Sequence, residues 1–104
     1  MTSQYSSQYN VAILGATGLV GQHLIEILEQ RDFPVAQLFP LASSRSAGGT
    51  VTFKGEKITV LDADSFDWSQ VQIGLFSAGG SVSAIYAPKA ADAGCVVIDN
   101  TSHF

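Results

Sequence analysis

The stretch Val11-Ala-Ile-Leu14, Gly15-Ala-Thr-Gly18-Leu-Val-Gly21, running on through Leu24, Ile27 and Leu28 to Arg31, decides the fold. Its first four residues form an apolar run that stops at a glycine, the pattern of a strand buried on both faces. Beyond Gly18, apolar Val20, Leu24, Ile27 and Leu28 recur at helical spacing while Gln22, Glu26, Glu29 and Gln30 take the opposite face. The pattern predicts a strand, a tight turn and an amphipathic helix packed back on the strand. Each glycine of the turn has a separate task. Gly15 lets the chain reverse, Gly18 lets a phosphate approach backbone N–H groups at the helix N-terminus, and Gly21 lets helix and sheet pack closely. The spacing is GxxGxxG, a variant of the GxGxxG dinucleotide fingerprint.

Working outward, Asp32 and Pro34 end the helix and Val35 to Ala42 predicts a second strand. Strand, helix and strand in such quick succession make a right-handed βαβ unit. The expected fold class is therefore α/β: a Rossmann-like, doubly wound, mostly parallel sheet with helices on both faces. Val51 to Phe53 and Lys57 to Leu61 flank Lys54-Gly55-Glu56 and form either a hairpin or two short strands paired elsewhere. Val71 to Phe76 is another strand. A second helix is expected from an N-cap near Ser81 to a C-cap at Gly94, kinked or divided by Pro88. Cys95 to Asp99 supplies one more buried strand. Residues 1–9, with SQY repeated, read as a polar lead, and residues 10–104 as one domain.

The remaining composition narrows the function classes. At 104 residues with 46% hydrophobic side chains, the chain can bury one small core and no separate substrate domain. A net charge of -4 with five lysines and arginines leaves no basic stripe, so nucleic acid is not an expected partner. One cysteine makes no internal disulfide, the first nine residues lack the charge and apolar run of a secretory signal, and the longest apolar stretch, Val11 to Gly21, is too short to span a bilayer. A cytoplasmic, non-membrane location is expected.

Three small-residue loops carry the binding chemistry. After the glycine turn, the end of the second strand is where an NAD-binding fold places a carboxylate on the ribose 2′-hydroxyl. Here it reads Ala42-Ser-Ser44-Arg45-Ser46-Ala-Gly-Gly49. A guanidinium and serine hydroxyls suit a 2′-phosphate, so NADP is the expected cofactor. The third loop, Ser77-Ala78-Gly79-Gly80, would lay Ala78 and Gly79 against the cofactor, with Ser81 capping its helix or donating to the pyrophosphate. Asn100 reaches a nicotinamide amide or forms an Asx turn. Cys95 begins an apolar strand with no histidine near it in sequence and reads as a buried structural thiol. His23 and His103 lack partners identifiable from sequence. Asp62 and Asp64 read as solvated, and no metal-ligand cluster is present.

Taken together, GATGLVG, ASSRSAGG, LFSAGGSVS and VVIDNTSHF, in this order, resemble the N-terminal NADP domain of the aspartate-semialdehyde dehydrogenase family, over nearly all of residues 9–104. Phe66-Asp-Trp-Ser-Gln70 looks like bacterial members. The resemblance implies NADP-dependent reductive dephosphorylation of aspartyl phosphate to aspartate semialdehyde, toward lysine, threonine, methionine and diaminopimelate. It implies that Thr17, Gly18, Leu19 and Val20 hold the pyrophosphate, that Arg45 and Ser46 hold the 2′-phosphate, and that Ala78, Gly79 and Asn100 border the path to the nicotinamide. The family's catalytic cysteine and histidine, and its dimer contact, belong to a C-terminal substrate domain that has no counterpart here. Cys95 does not match that cysteine's motif, so this chain alone is expected to be inactive. The family also holds paralogues without the full activity, and a non-catalytic NADP-binding or regulatory module is the alternative. A short-chain reductase is a third reading, weakened because Tyr86 and Lys89 are three residues apart where that class uses four.

Overall fold

The computed structural model describes residues 8–77 and 79–99. Five strands, β1 (Tyr9–Leu14), β2 (Val35–Ala42), β5 (Leu61–Asp62), β6 (Ile73–Phe76) and β7 (Val96–Asp99), form a wholly parallel sheet in the order β5-β2-β1-β6-β7. The chain runs outward from β1 to β2 and β5, then returns to the other side of β1 as β6. That reversal beside β1 is the topological switch point of a doubly wound sheet, where a crevice opens at the carboxyl ends of the strands.

β1 lies in the middle, and Val11 to Leu14 are at most 1% exposed. Alternation sends them into two cores. Val11 and Ile13 pack with Ile25 and Leu28 of α1 (Leu19–Gln30), with Leu38 and with Phe53. Ala12 and Leu14 pack with Phe39, Leu41, Trp68, Phe76 and Tyr86 on the opposite face, under α2 (Gly80–Asp92). Trp68 centres that second core, with Phe66, Phe76 and Tyr86 rings 5.2 to 6.3 Å from it. Its position follows from a short 3-10 turn, Trp68–Gln70, which the Asp67 carboxylate starts by accepting the Ser69 N–H. The same hydrogen bonds, from the Ser69 hydroxyl and N–H, hold the Asp67 carboxyl below the usual range.

The βαβ unit, the parallel sheet and the two helices match the expectations from sequence, and the differences have local causes. The buried centre of α1 is Gly21, Ile25 and Leu28, whereas Val20, Leu24 and Ile27 lie half-buried on its flanks, so the stripe is rotated from the one anticipated. β3 (Thr50–Phe53) and β4 (Glu56–Thr59) do form a hairpin, but Leu61 leaves it to pair with Leu41 in the main sheet. Lys54 and Gly55 both have positive φ (53° and 82°), the two-residue turn whose twist fits a hairpin. The Lys54 N–H donates to the Glu29 carboxylate, which ties the hairpin to α1.

α2 is capped not by Ser81 but by Gly79, whose φ of 107° turns the chain earlier, in a region glycine tolerates and Ser81 would not. Nor does Pro88 divide the helix. Tyr86 and Ala90, buried on either side of the exposed proline, hold it against the sheet, and only one internal hydrogen bond is forgone. The largest correction is β7. Among the described residues it pairs only with β6, at the sheet margin, and Val96 and Ile98 are 61% and 46% exposed, so the run expected to be a buried strand is an exposed edge there. Among the described residues, no helix is long and apolar enough to cross a membrane.

Candidate cofactor cleft

The turn after β1 is built from the backbone. Gly15 takes φ 86°, and its N–H and that of Ala16 both donate to the Leu41 carbonyl, 2.9 and 3.1 Å away, which ties the turn to the end of β2. Gly21 faces the turn from the first turn of α1. A Cβ placed there would sit 2.1 Å from the Gly15 carbonyl oxygen, so this close approach excludes any side chain. Gly18 differs. Its φ is -80°, and a Cβ would meet the nearest atom at an ordinary 3.5 Å. The protein itself therefore gives no reason for glycine at position 18, whereas a ligand against the turn would.

Gly18 is also the N-cap of α1 and, having no side chain, satisfies none of the N–H groups of the first turn. α2 begins in the same way, with Gly79 as a cap that has no side chain. Both helices thus open toward the carboxyl edge of the sheet with their positive dipole ends unneutralised by a cap. Between them lies a cleft of about 360 Å³. Gly15, Thr17 and Gly18 form one wall, Ala42, Ser43 and Ser46 another, and Ser77, Val82, Ile85 and Tyr86 the third. A larger groove, about 470 Å³, lies between α1 and β3 on the other side of Thr17. It is lined by none of the turn's glycines and by nothing of α2, so the smaller cleft at the switch point is the candidate site.

Of the residues singled out from sequence, Gly15, Thr17, Gly18 and Ser46 line this cleft, and Gly21 supports it from behind. Leu19, 88% exposed, and the half-buried Val20 open α1 beside it. Ser44 and Arg45 are exposed in the loop above β2 but do not line the cleft, and Gly79 opens α2. Ala78 and Asn100, like His103, lie outside the described residues. Ser43 and Ser77, members of the loops singled out from sequence but given no individual role, also line the cleft, whereas sequence reasoning missed the apolar wall of Val82, Ile85 and Tyr86. The 3,4 spacing of those three on α2 was a legible signal for one helix face.

Tyr86 is fixed by the Asp64 carboxylate, to which its hydroxyl donates. That hydrogen bond, with burial as a second cause, pushes the phenol up to about 12. Asp62 and Asp64 are accordingly not merely solvated: Asp62 accepts hydrogen bonds from the Ser44 hydroxyl and the Asp64 N–H, each at 2.9 Å. Cys95 is 5% exposed, and burial pushes its thiol up, the state of a structural rather than a nucleophilic cysteine. His23 lies exposed on α1, 3.6 Å from Glu26. No group of three or more potential metal ligands occurs among the described residues.

A family described as semialdehyde dehydrogenase, NAD binding domain, matches residues 10–104. The chain belongs to this family. It is 68% identical over 99 residues to an aspartate-semialdehyde dehydrogenase of Shewanella sp. (strain DB6705), which covers 95% of this chain and 29% of that protein. Among solved structures, the aspartate semialdehyde dehydrogenase II of Vibrio cholerae, complexed with ASA, superposes with a TM-score of 0.90 at 60% identity, over 94% of this chain and 32% of the other. The aspartate semialdehyde dehydrogenase of Candida albicans, solved with NADP, shares the fold at 23% identity and a TM-score of 0.72, over 93% and 30%. The chain spans about three tenths of the length of the relatives it matches. Membership makes residues 10–104 a domain of the semialdehyde dehydrogenase NAD-binding family.

Proposed function

We propose that this domain binds NADP and serves an aspartate-semialdehyde dehydrogenase, which reductively dephosphorylates aspartyl phosphate to aspartate semialdehyde in the cytoplasm. The observation that carries the proposal is the uncapped start of α1 at a glycine for which the fold has no internal use. Backbone N–H groups of Leu19 and Val20 would hold the pyrophosphate, with Gly15, Thr17 and Gly18 shaping its approach. Arg45 and Ser46 would take the 2′-phosphate, since a guanidinium fork suits phosphate oxygens. Gly79, Ala78 and Asn100 would border the nicotinamide half. When bound, the cofactor supplies the hydride; the chain's own residues bind and orient it. Nucleophile and acid/base groups would come from a further substrate domain, which would also carry the dimer contact. Cys95, buried and thiol-protonated, fills neither role.

Fluorescence titration with NADPH and NADH tests this. NADPH is expected to bind more tightly, and Arg45→Ala to lower NADPH affinity by about tenfold or more while sparing NADH, the effect of losing charge-assisted hydrogen bonds. Equal affinity of the wild type for both would refute the 2′-phosphate assignment. This chain alone is expected to show no conversion of aspartate semialdehyde with NADP and phosphate. A longer protein carrying the domain and binding NADP without turnover would favour the non-catalytic homologue.

A further inference from the structure

We propose that Asp62 is a positioning residue that sets how strongly the cleft prefers NADP over NAD, by withdrawing Ser44 from the cofactor and placing a fixed negative charge beside the Arg45 loop. This rests on the assignment of the cleft to a nicotinamide dinucleotide. The loop after β2 is framed by one short segment, Val60 to Asp62. At its start, Ala42 pairs with Asp62 in the register of β2 and β5. At its end, the Gly48 N–H donates to the Val60 carbonyl at 2.9 Å, and the Val60 N–H donates to the Gly49 carbonyl at 2.8 Å. In between, the Ser44 hydroxyl donates to Asp62 Oδ2 at 2.9 Å.

A serine hydroxyl has one proton. Given to Asp62, that proton is not available to a phosphate, whose oxygens only accept. Ser43 and Ser46 line the cleft and Ser44 does not, in agreement with this division. Ser44 therefore leaves the set of phosphate donors that the loop sequence suggests. The carboxylate is in turn fixed, because Asp62 Oδ1 accepts the Asp64 N–H at 2.9 Å.

The placement inverts the usual arrangement. An NAD-binding fold presents its acid at the end of the second strand to hold the ribose 2′-hydroxyl. Here the acid arrives from the neighbouring edge strand, directly across from Ala42, while the loop itself carries Arg45. Arg45 attracts a 2′-phosphate and Asp62 opposes it, so the preference for NADP is graded.

The test is the ratio of NADPH to NADH affinity in the intact chain, measured by fluorescence titration for wild type, Arg45→Ala, Asp62→Asn and Ser44→Ala. Asp62→Asn is expected to raise the ratio about threefold to tenfold at about 50 mM salt and by less at about 0.5 M, because an exposed charge within about a Debye length of a dianion is worth that much and is screened. Ser44→Ala, which removes the proton shared with the carboxylate, is expected to lower the ratio. If Arg45→Ala abolishes the preference while Asp62→Asn leaves it unchanged or reduces it, the role of Asp62 is overturned and the NADP assignment stands. If Asp62→Asn does not fold, an unchanged ratio in Ser44→Ala overturns it instead. If Arg45→Ala changes nothing, the assignment itself fails and the Asp62 proposal falls with it.

Discussion

β1 and β7 carry nearly the same message in sequence, Val-Ala-Ile-Leu and Val-Val-Ile-Asp, and meet opposite fates. Val11 to Leu14 are sealed on both faces by two cores, whereas Val96 and Ile98 remain 61% and 46% exposed on the sheet margin. Burial of a parallel strand is set by its place in the topology, not by its composition. β1 lies between β2 and β6; among the described residues β7 has β6 alone. The same contrast separates the two loops that follow β1 and β6. The first is locked by Gly21 against Gly15 at a distance no side chain survives, while a Cβ at Gly80 would meet nothing within 4 Å.

That comparison is broken most severely at Gly21. Gly21→Val would drive its side chain into the backbone of Gly15 and Ala16, with no flexible group to yield. The expected cost is about 3 kcal/mol or more, read as a loss of cooperative thermal unfolding, whereas Gly80→Ala should leave the melting temperature nearly unchanged. If both variants melt like the wild type, α1 does not pack as described. Next in size, Ile13→Ala should cost about 2–5 kcal/mol in denaturant unfolding, the range for emptying a closed core. Val96→Ala should stay within about 0.5 kcal/mol, as for exposed positions. Equal costs would show that β7 is buried in solution.

Much of this was legible in the sequence because the deciding signals are local. The glycine turn, the α1 periodicity and the limits of β2 each follow from contiguous residues. The burial of β7 was not legible, since it depends on which strand ends the row, and four other strands settle that. The role of Asp62 was hidden for a related reason. Ser44 and Asp62 are eighteen residues apart, and only the pairing of Ala42 with Asp62 brings them together. Ser81 was a reasonable N-cap by residue type, but the positive φ of Gly79 moved the helix start, a backbone choice that a serine in the sequence does not announce.

The smallest expected effect sharpens the contrast from the buried side. Tyr86 links the cleft wall to the Trp68 core, and its hydroxyl donates to the Asp64 carboxylate. The phenol is raised from an ordinary value of 10.0 to about 12, first by that hydrogen bond and then by burial. In the unfolded chain the phenol loses its proton near 10, before the folded one does, so folding holds the proton more tightly. The stabilisation from the neutral, bonded form is therefore complete below pH 10 and disappears as pH rises toward 12. Melting temperature should fall across that window in the wild type. Tyr86→Phe keeps the ring against Trp68 and Leu14 but removes the proton, and leaves Asp64, which is exposed, free to be solvated. It should cost about 1 kcal/mol near neutral pH and flatten the alkaline decline. A decline of equal steepness in the variant would mean that the Tyr86 hydroxyl does not hold this wall of the cleft.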